Sequence, residues 1–455
     1  MPGLSERKIQ IVRTLVETAP DSVVGSLQAA LSETAADSAL GTVRRLVESE
    51  YRERALRNLI LQPVAPMCVG SGQDPKKLTF PARALAQLWR GLRLHHGPTI
   101  DEVRAAFEEQ LAPHEVQKLT DALTAAAAAG LRAADLPEFA AAGDACEQAR
   151  PGGRDTLATC LDVAPVVRRA TERLHGWLTH PGADASAAAR LAYRDAVAVS
   201  DDAGPLFFEM LAAQMAQPWM VLRVISAVMD KPTERYLRDS ELAGFAETLL
   251  DEIDAGLGHI AGLKADDGPA AGRDAARRAE LIVQQIVELE TCIDLTRDTG
   301  WGRRIHQQRA SLASVVEGRL HEAEKAVVEA LPMHVPRQRA RRAVPQLADP
   351  PQERLVNRAI TLLSFSEDLR ATANYGGFSA TRNRLIETLG EHIDYYVEEV
   401  LDLVRTHEVE NLHQAQAFLE HAAAFDRLIR GAPAAELIHR RIHATIHPEP
   451  AVAQG

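Results

Sequence analysis

What most constrains this chain is a periodicity that never changes. From residue 6 to Pro448, apolar side chains recur three or four apart in long runs, and no stretch alternates apolar and polar residue by residue. A repeat near 3.6 lines one face of a helix, whereas a half-buried strand needs a repeat of two. Composition points the same way. Ala, Leu, Arg and Glu, all good helix formers, are abundant, and aromatic residues make up only 4% of the chain. The expectation is an all-α protein of antiparallel helical hairpins and bundles, in about three blocks and without a substantial β-sheet.

The 455 residues, 46% of them hydrophobic, can bury large cores. At about 100 to 200 residues per domain they suggest two to four domains. The net charge of -12 and pI near 5.8 argue against a surface built for nucleic acid, because phosphate binding needs a basic face. The cysteines, Cys68, Cys146, Cys160 and Cys292, form no C-x-x-C pair, so neither a disulfide framework nor a zinc knuckle is encoded and reduced thiols are expected. The opening "MPGLSERKIQ" carries charges where a signal peptide needs an apolar stretch, and no apolar run approaches the roughly 18 residues of a membrane span. Lys occupies only seven positions against abundant Arg and Ala, which resembles coding in a GC-rich bacterial genome. A soluble protein of a bacterial cytoplasm is the expectation.

Breaks in the pattern divide the chain. Helices are expected over 6–17, 22–32 and 38–62, with Asp21 and Asp37 as caps, and again over 82–94, 100–111 and 114–130. The Gly, Pro and charge content of "GDACEQARPGGRD" sets a boundary that makes 1–150 an N-terminal domain and 151–332 a central one. The central domain holds the most apolar segment, 205–229. Pro205 and Pro218 are each tolerated in a first helical turn, so this segment reads as two helices, the second apolar nearly all round and therefore buried. Long helices follow over 274–297, with a stripe of Ile282, Ile286, Leu289 and Ile293, and over 303–331. Residues 333–352 are rich in Pro and Arg and read as an interdomain linker, 353–447 as a C-terminal helical hairpin domain, and 448–455 as a tail. In that last domain Ile386, Leu389, Ile393, Tyr396, Val400 and Leu403 repeat like a coiled-coil seam, with Glu387, Glu391, Asp394, Glu398 and Asp402 as an acidic stripe.

Several chemistries fail on spacing. A P-loop, a dinucleotide fingerprint and a nucleophile elbow are all absent, which excludes the mainstream ATPases, kinases, dehydrogenases and α/β hydrolases. Zinc proteolysis needs H-E-x-x-H. His114-Glu115, His321-Glu322 and His407-Glu408 begin it, and Lys118, Lys325 and Asn411 end it. The E-x-x-H pairs Glu172/His175, Glu410/His413 and Glu436/His439 lack the inward partners of a di-iron bundle.

Three candidate sites remain. In "IHRRIHATIH", Glu436, His439 and His443 share one helical stripe and are spaced to chelate a divalent cation, while Ile438, Ile442 and Ile446 form a second stripe about 100° away. The simpler reading docks the isoleucines and leaves the histidines beside a helix C-terminus. Arg337, Arg339, Arg341 and Arg342 make a local positive field for an anionic surface. Met210, Met215 and Trp219 belong to a Met-rich segment of the adaptable kind that binds partners, although such segments are more often core. The reading adopted is a non-enzymatic scaffold, adaptor or regulatory protein without a cofactor, acting on a protein partner or a second copy. The alternatives are a metal-dependent helical-bundle enzyme using the C-terminal Glu and His residues, and an anionic-surface binder using the arginines.

Overall fold

The computed structural model describes residues 6–32, 39–70, 77–110, 112–180, 182–334, 343–370 and 372–446. They form twenty α-helices and two minimal strand pairs, so the chain is all-α. It divides into two compact units, Met1–Pro232 with Leu237–Gly244, and Thr233–Tyr236 with Phe245–Gly455. The expected boundary near residue 150 lies inside the first unit.

The first unit runs α1 (Glu6–Thr18), α2 (Asp21–Leu31), α3 (Ala39–Ile60), the parallel pair β1 (Cys68–Val69) and β2 (Phe80–Pro81), α4 (Ala82–His95), α5 (Gly97–Glu108), α6 (Pro113–Ala133), α7 (Pro137–Ala149), α8 (Gly153–Thr179), α9 (Ala183–Val197), α10 (Ala203–Ala213) and α11 (Val221–Met229). Prolines open α5, α6 and α7, where the missing N–H has no intrahelical partner to lose. The central helix is α8, which packs against α6, α7, α9 and α10 and buries Leu157, Leu161, Val163, Val166, Val167 and Leu174 among others. Near the chain start, Val16, Val24 and Val47 form a small core. Arg54 fixes it by donating to the Val16, Glu17 and Ala19 carbonyls at 2.9, 3.0 and 2.8 Å, which closes the C-terminus of α1.

The apolar segment 205–229 does form two helices. The second is one-sided rather than buried all round: α11 buries Val221, Leu222, Val224 and Ile225, whereas Val228 and Met229 are half-buried. Arg223, opposite that face on α11, donates to the Leu178 carbonyl at 2.8 Å.

The division between units passes through α12 (Glu234–Arg238) and the first residues of α13 (Ala243–Gly262). The second unit continues through α14 (Pro269–Cys292), α15 (Gly300–Ala330), the antiparallel pair β3 (Met333–His334) and β4 (Val344–Pro345), α16 (Glu353–Asp368), α17 (Ala373–Gly376), α18 (Ser379–Arg405), α19 (Leu412–Arg430) and α20 (Ala432–Ile446). Buried Glu234 accepts from the Trp301 and Gly302 amides at 2.7 and 3.3 Å, capping α15 with a carboxylate supplied from elsewhere in the sequence. α14 begins and ends five residues earlier than its stripe suggests. Gly268 at φ +90° and Pro269 start it, and Ile293 is already extended beside the Thr233–Asp294 bridge.

α16 packs against α14, α15 and α19, so helices on both sides of 333–352 belong to one core. The described ends of that segment pair as β3 and β4, and Tyr395 donates to the Ala343 carbonyl at 3.0 Å. α14 and α16 approach closely because residue 272 is glycine: a Cβ there would lie 2.2 Å from the Thr361 carbonyl oxygen. α18 buries Leu385, Leu389, Ile393, Tyr396, Val397, Val400 and Leu401, a face wider than a two-helix seam, because α15, α19 and α20 all pack on it. Its acidic stripe meets arginines, Asp394 with Arg430 at 2.7 Å and Glu398 with Arg441.

Candidate binding groove

One concavity of the first unit follows from how α3 divides its surface. Val43, Val47 and Arg54 face the small core with α1 and α2. On the far side Arg45, Glu48, Ser49, Arg52, Ala55, Leu56 and Leu59 fall within an arc of roughly 120° at 100° per residue. α5 supplies the opposite wall. It turns Ile100, Val103 and Ala106 into the core, which leaves Arg104, Phe107 and Glu108 toward α3. The cleft holds about 950 Å³, with Leu56 and Leu59 on its floor and Phe107, 62% exposed, on its wall. A second compartment of about 760 Å³ shares Leu59 and Phe107 and adds Ala106, Val116, Thr120, Arg168 and Glu172. The two form one groove.

Its charges are distributed unevenly. Glu53 accepts from Arg93 Nε at 2.6 Å, Arg93 Nη2 at 2.9 Å, Arg104 Nη2 at 3.2 Å and Trp89 Nε1 at 3.1 Å, and Arg93 lies 5.8 Å over the Trp89 ring. A hydrogen bond from Arg93 holds Asp101 below the usual carboxylate range, and one from Arg44 does the same for Glu48. Both groove-wall carboxylates of α3 are thus committed to arginines. Among the described residues Arg45 donates only to the Thr42 hydroxyl at 3.3 Å, and no carboxylate lies within 4 Å of Arg45 or Arg52.

Buried thiols are the other convergence that the sequence did not reveal. Cys68, Cys146 and Cys160 come close enough to disfavour one another's ionisation, and burial is the larger effect, pushing Cys68 and Cys146 up to about 12 and raising Cys160 as well. Such thiols stay neutral near pH 7 and are poor nucleophiles. Burial likewise raises the nearby Glu209 carboxyl.

The residues singled out by sequence are placed differently. Glu436, His439 and His443 are exposed on α20, while Ile438 and Ile442 are buried. His439 Nδ1 meets Glu420 Oε2 of α19 at 3.3 Å. Among the described residues no three His, Cys, Asp or Glu side chains stand together as a metal site. Met210 is fully buried, and Met215 and Trp219 are half-buried around the turn joining α10 to α11. Arg337, Arg339, Arg341 and Arg342 lie outside the described residues. No described helix is long and apolar enough to cross a membrane. In comparison with known proteins, no family model, no curated protein and no solved structure matches this chain.

Proposed function

We propose that this chain is a non-enzymatic helical adaptor or scaffold, and that it engages a protein partner through the groove between α3 and α5. One observation carries the reading: an apolar floor and wall lie between two helices and are flanked by charge, with Phe107 62% exposed and Leu59 half-buried above a buried Leu56. A large exposed aromatic over an open apolar cleft is the arrangement expected of an interface anchor. The buried thiols support a reducing, cytoplasmic setting, and the Arg-over-Lys composition supports a bacterial one.

A photo-crosslinking amino acid at position 107, introduced in the native host, tests this. A discrete adduct is expected there and not from the same group at Tyr375, which is 73% exposed on the second unit. No adduct, or the same adducts from both positions, would remove the groove as the working surface. Stoichiometric metal in protein purified without a His tag would instead favour the metal-dependent enzyme.

A further inference from the structure

Resting on that reading, we infer that the groove takes an amphipathic helix whose flank toward α3 carries two carboxylates two turns apart. Shape gives the first part. The open face of α3 runs from Arg45 to Leu59, about 21 Å at 1.5 Å per residue, a length that a partner helix of roughly 14 to 17 residues covers. The apolar surface lies toward the C-terminal half of that face, where Ala55, Leu56 and Leu59 of α3 and Phe107 of α5 line the cleft and Leu59 and Phe107 border both compartments, so a helix presenting apolar residues at i, i+3 or i+4 meets it there while its other turns run along Arg45, Glu48, Ser49 and Arg52.

Charge gives the second part. Glu48 and Glu53 are already neutralised within the unit, by Arg44 at 2.7 Å and by Arg93 at 2.6 Å. Among the described residues neither Arg45 nor Arg52 has a carboxylate within 4 Å, although Arg52 also attracts Glu48 over a longer distance. The two arginines sit seven residues apart on the same face, about 10.5 Å along the axis, and acidic residues i and i+7 of a parallel or antiparallel helix repeat at that distance. The opposite wall presents Glu108, which disfavours carboxylates on the partner's other flank. The floor selects a helix, and the arginines select its acidic side.

The test uses the full chain and a displayed library of 17-residue helices with leucines fixed at spacings of three and four and with all flanking positions randomised. The selected pool should be enriched in Asp and Glu seven apart on one flank and depleted of them on the other. A peptide from that pool should lose about tenfold or more in affinity against Phe107→Ala and against the Arg45→Glu/Arg52→Glu pair. These three side chains are exposed, and unchanged circular dichroism would show that the variants fold. A Phe107-dependent pool with neutral or basic flanks would overturn the acidic helix and leave the groove as a binding surface. No enrichment, or binders indifferent to Phe107→Ala, would overturn both. Concentration-dependent self-association lost in Phe107→Ala would place a second copy in the groove and overturn this partner.

Discussion

Two glycine-to-alanine substitutions in one unit should move stability in opposite directions. Gly318 is exposed in the middle of α15 and nothing lies within 4 Å of the Cβ it lacks, so alanine there meets only water. Removing the conformational freedom that glycine gives the unfolded chain should stabilise by about 0.5–1 kcal/mol. Gly272 gains the same kind of benefit, reduced because it lies near the start of α14. Its added Cβ, however, falls 2.2 Å from the Thr361 carbonyl oxygen, 3.2 Å from the Thr361 carbonyl carbon and 3.3 Å from the Phe365 amide. A backbone carbonyl inside α16 cannot rotate away, and Thr361, Leu362 and Phe365 are buried around it. The helices must therefore part by roughly 1 Å, enough to forfeit a quarter to a half of each contact across that seam. Overpacking of this kind costs about 1–3 kcal/mol, and more when backbone blocks the way, so Gly272→Ala should be net destabilising by about 1–3 kcal/mol.

The assay is urea unfolding followed by far-ultraviolet circular dichroism, with amide exchange on α14, α15 and α16 to assign the transition to the second unit. Gly318→Ala should raise the midpoint and Gly272→Ala should lower it, with faster exchange at the α14–α16 seam. A Gly272→Ala protein as stable as Gly318→Ala would refute the close approach of those helices.

Leu222→Ala, at a position 2% exposed, should cost about 2–5 kcal/mol in thermal or urea unfolding, and retention of full stability would mean α11 is not docked by that face. On α20, Ile442→Ala should cost about 2–4 kcal/mol while His443→Ala changes stability by under about 0.5 kcal/mol, and a reversed order would show that the helix docks by its histidine stripe. Burial lowers the pKa of His392 from 6.5, a hydrogen bond with the Leu331 backbone opposing it in part. The native state then stays neutral where the unfolded chain takes up a proton, so this contribution is complete above pH 6.5 and is lost as pH falls toward the lower folded value. His392→Asn should flatten the decline in unfolding free energy below pH 6.5, and identical slopes for variant and wild type would exclude His392 as its source.

Helix positions were legible because they depend on local chemistry. The apolar segment 205–229 divides near Pro218 as its sequence suggests, whereas the prolines that open α7 and α14 carry the same first-turn signal unused in the expectation, which omits α7 and starts α14 five residues late. Which helices share a core depends on residues distant in sequence. "ARPGGRD" has the composition of a domain boundary, yet it is a tight turn: Gly152 takes φ +73°, Glu147 accepts from its amide at 2.9 Å, and α7 and α8 then pack against each other. The Pro-rich text after Leu331 reads as a linker, although α16 beyond it packs on α14 and α15 before it. Composition reports that the chain turns at such places. It does not report whether the next helix returns to the same core.

The groove was illegible for a related reason. Arg45, Arg52 and Leu59 read as the ordinary outer face of an amphipathic helix, and Phe107 in "AAFEEQ" reads as one more apolar position beside Ala106. Only when α5 commits Ile100, Val103 and Ala106 to the core does Phe107, the next residue, turn outward across from α3. The C-terminal stripes show the converse. Isoleucine and histidine recur with the same spacing on α20, so periodicity alone assigns neither stripe to the interior, and desolvation decides between them: burying isoleucine is favourable, whereas burying an unpaired imidazole is not. The isoleucines accordingly face α18 and α19, which leaves Glu436, His439 and His443 on the exposed face of α20, with Glu420 of α19 beside His439.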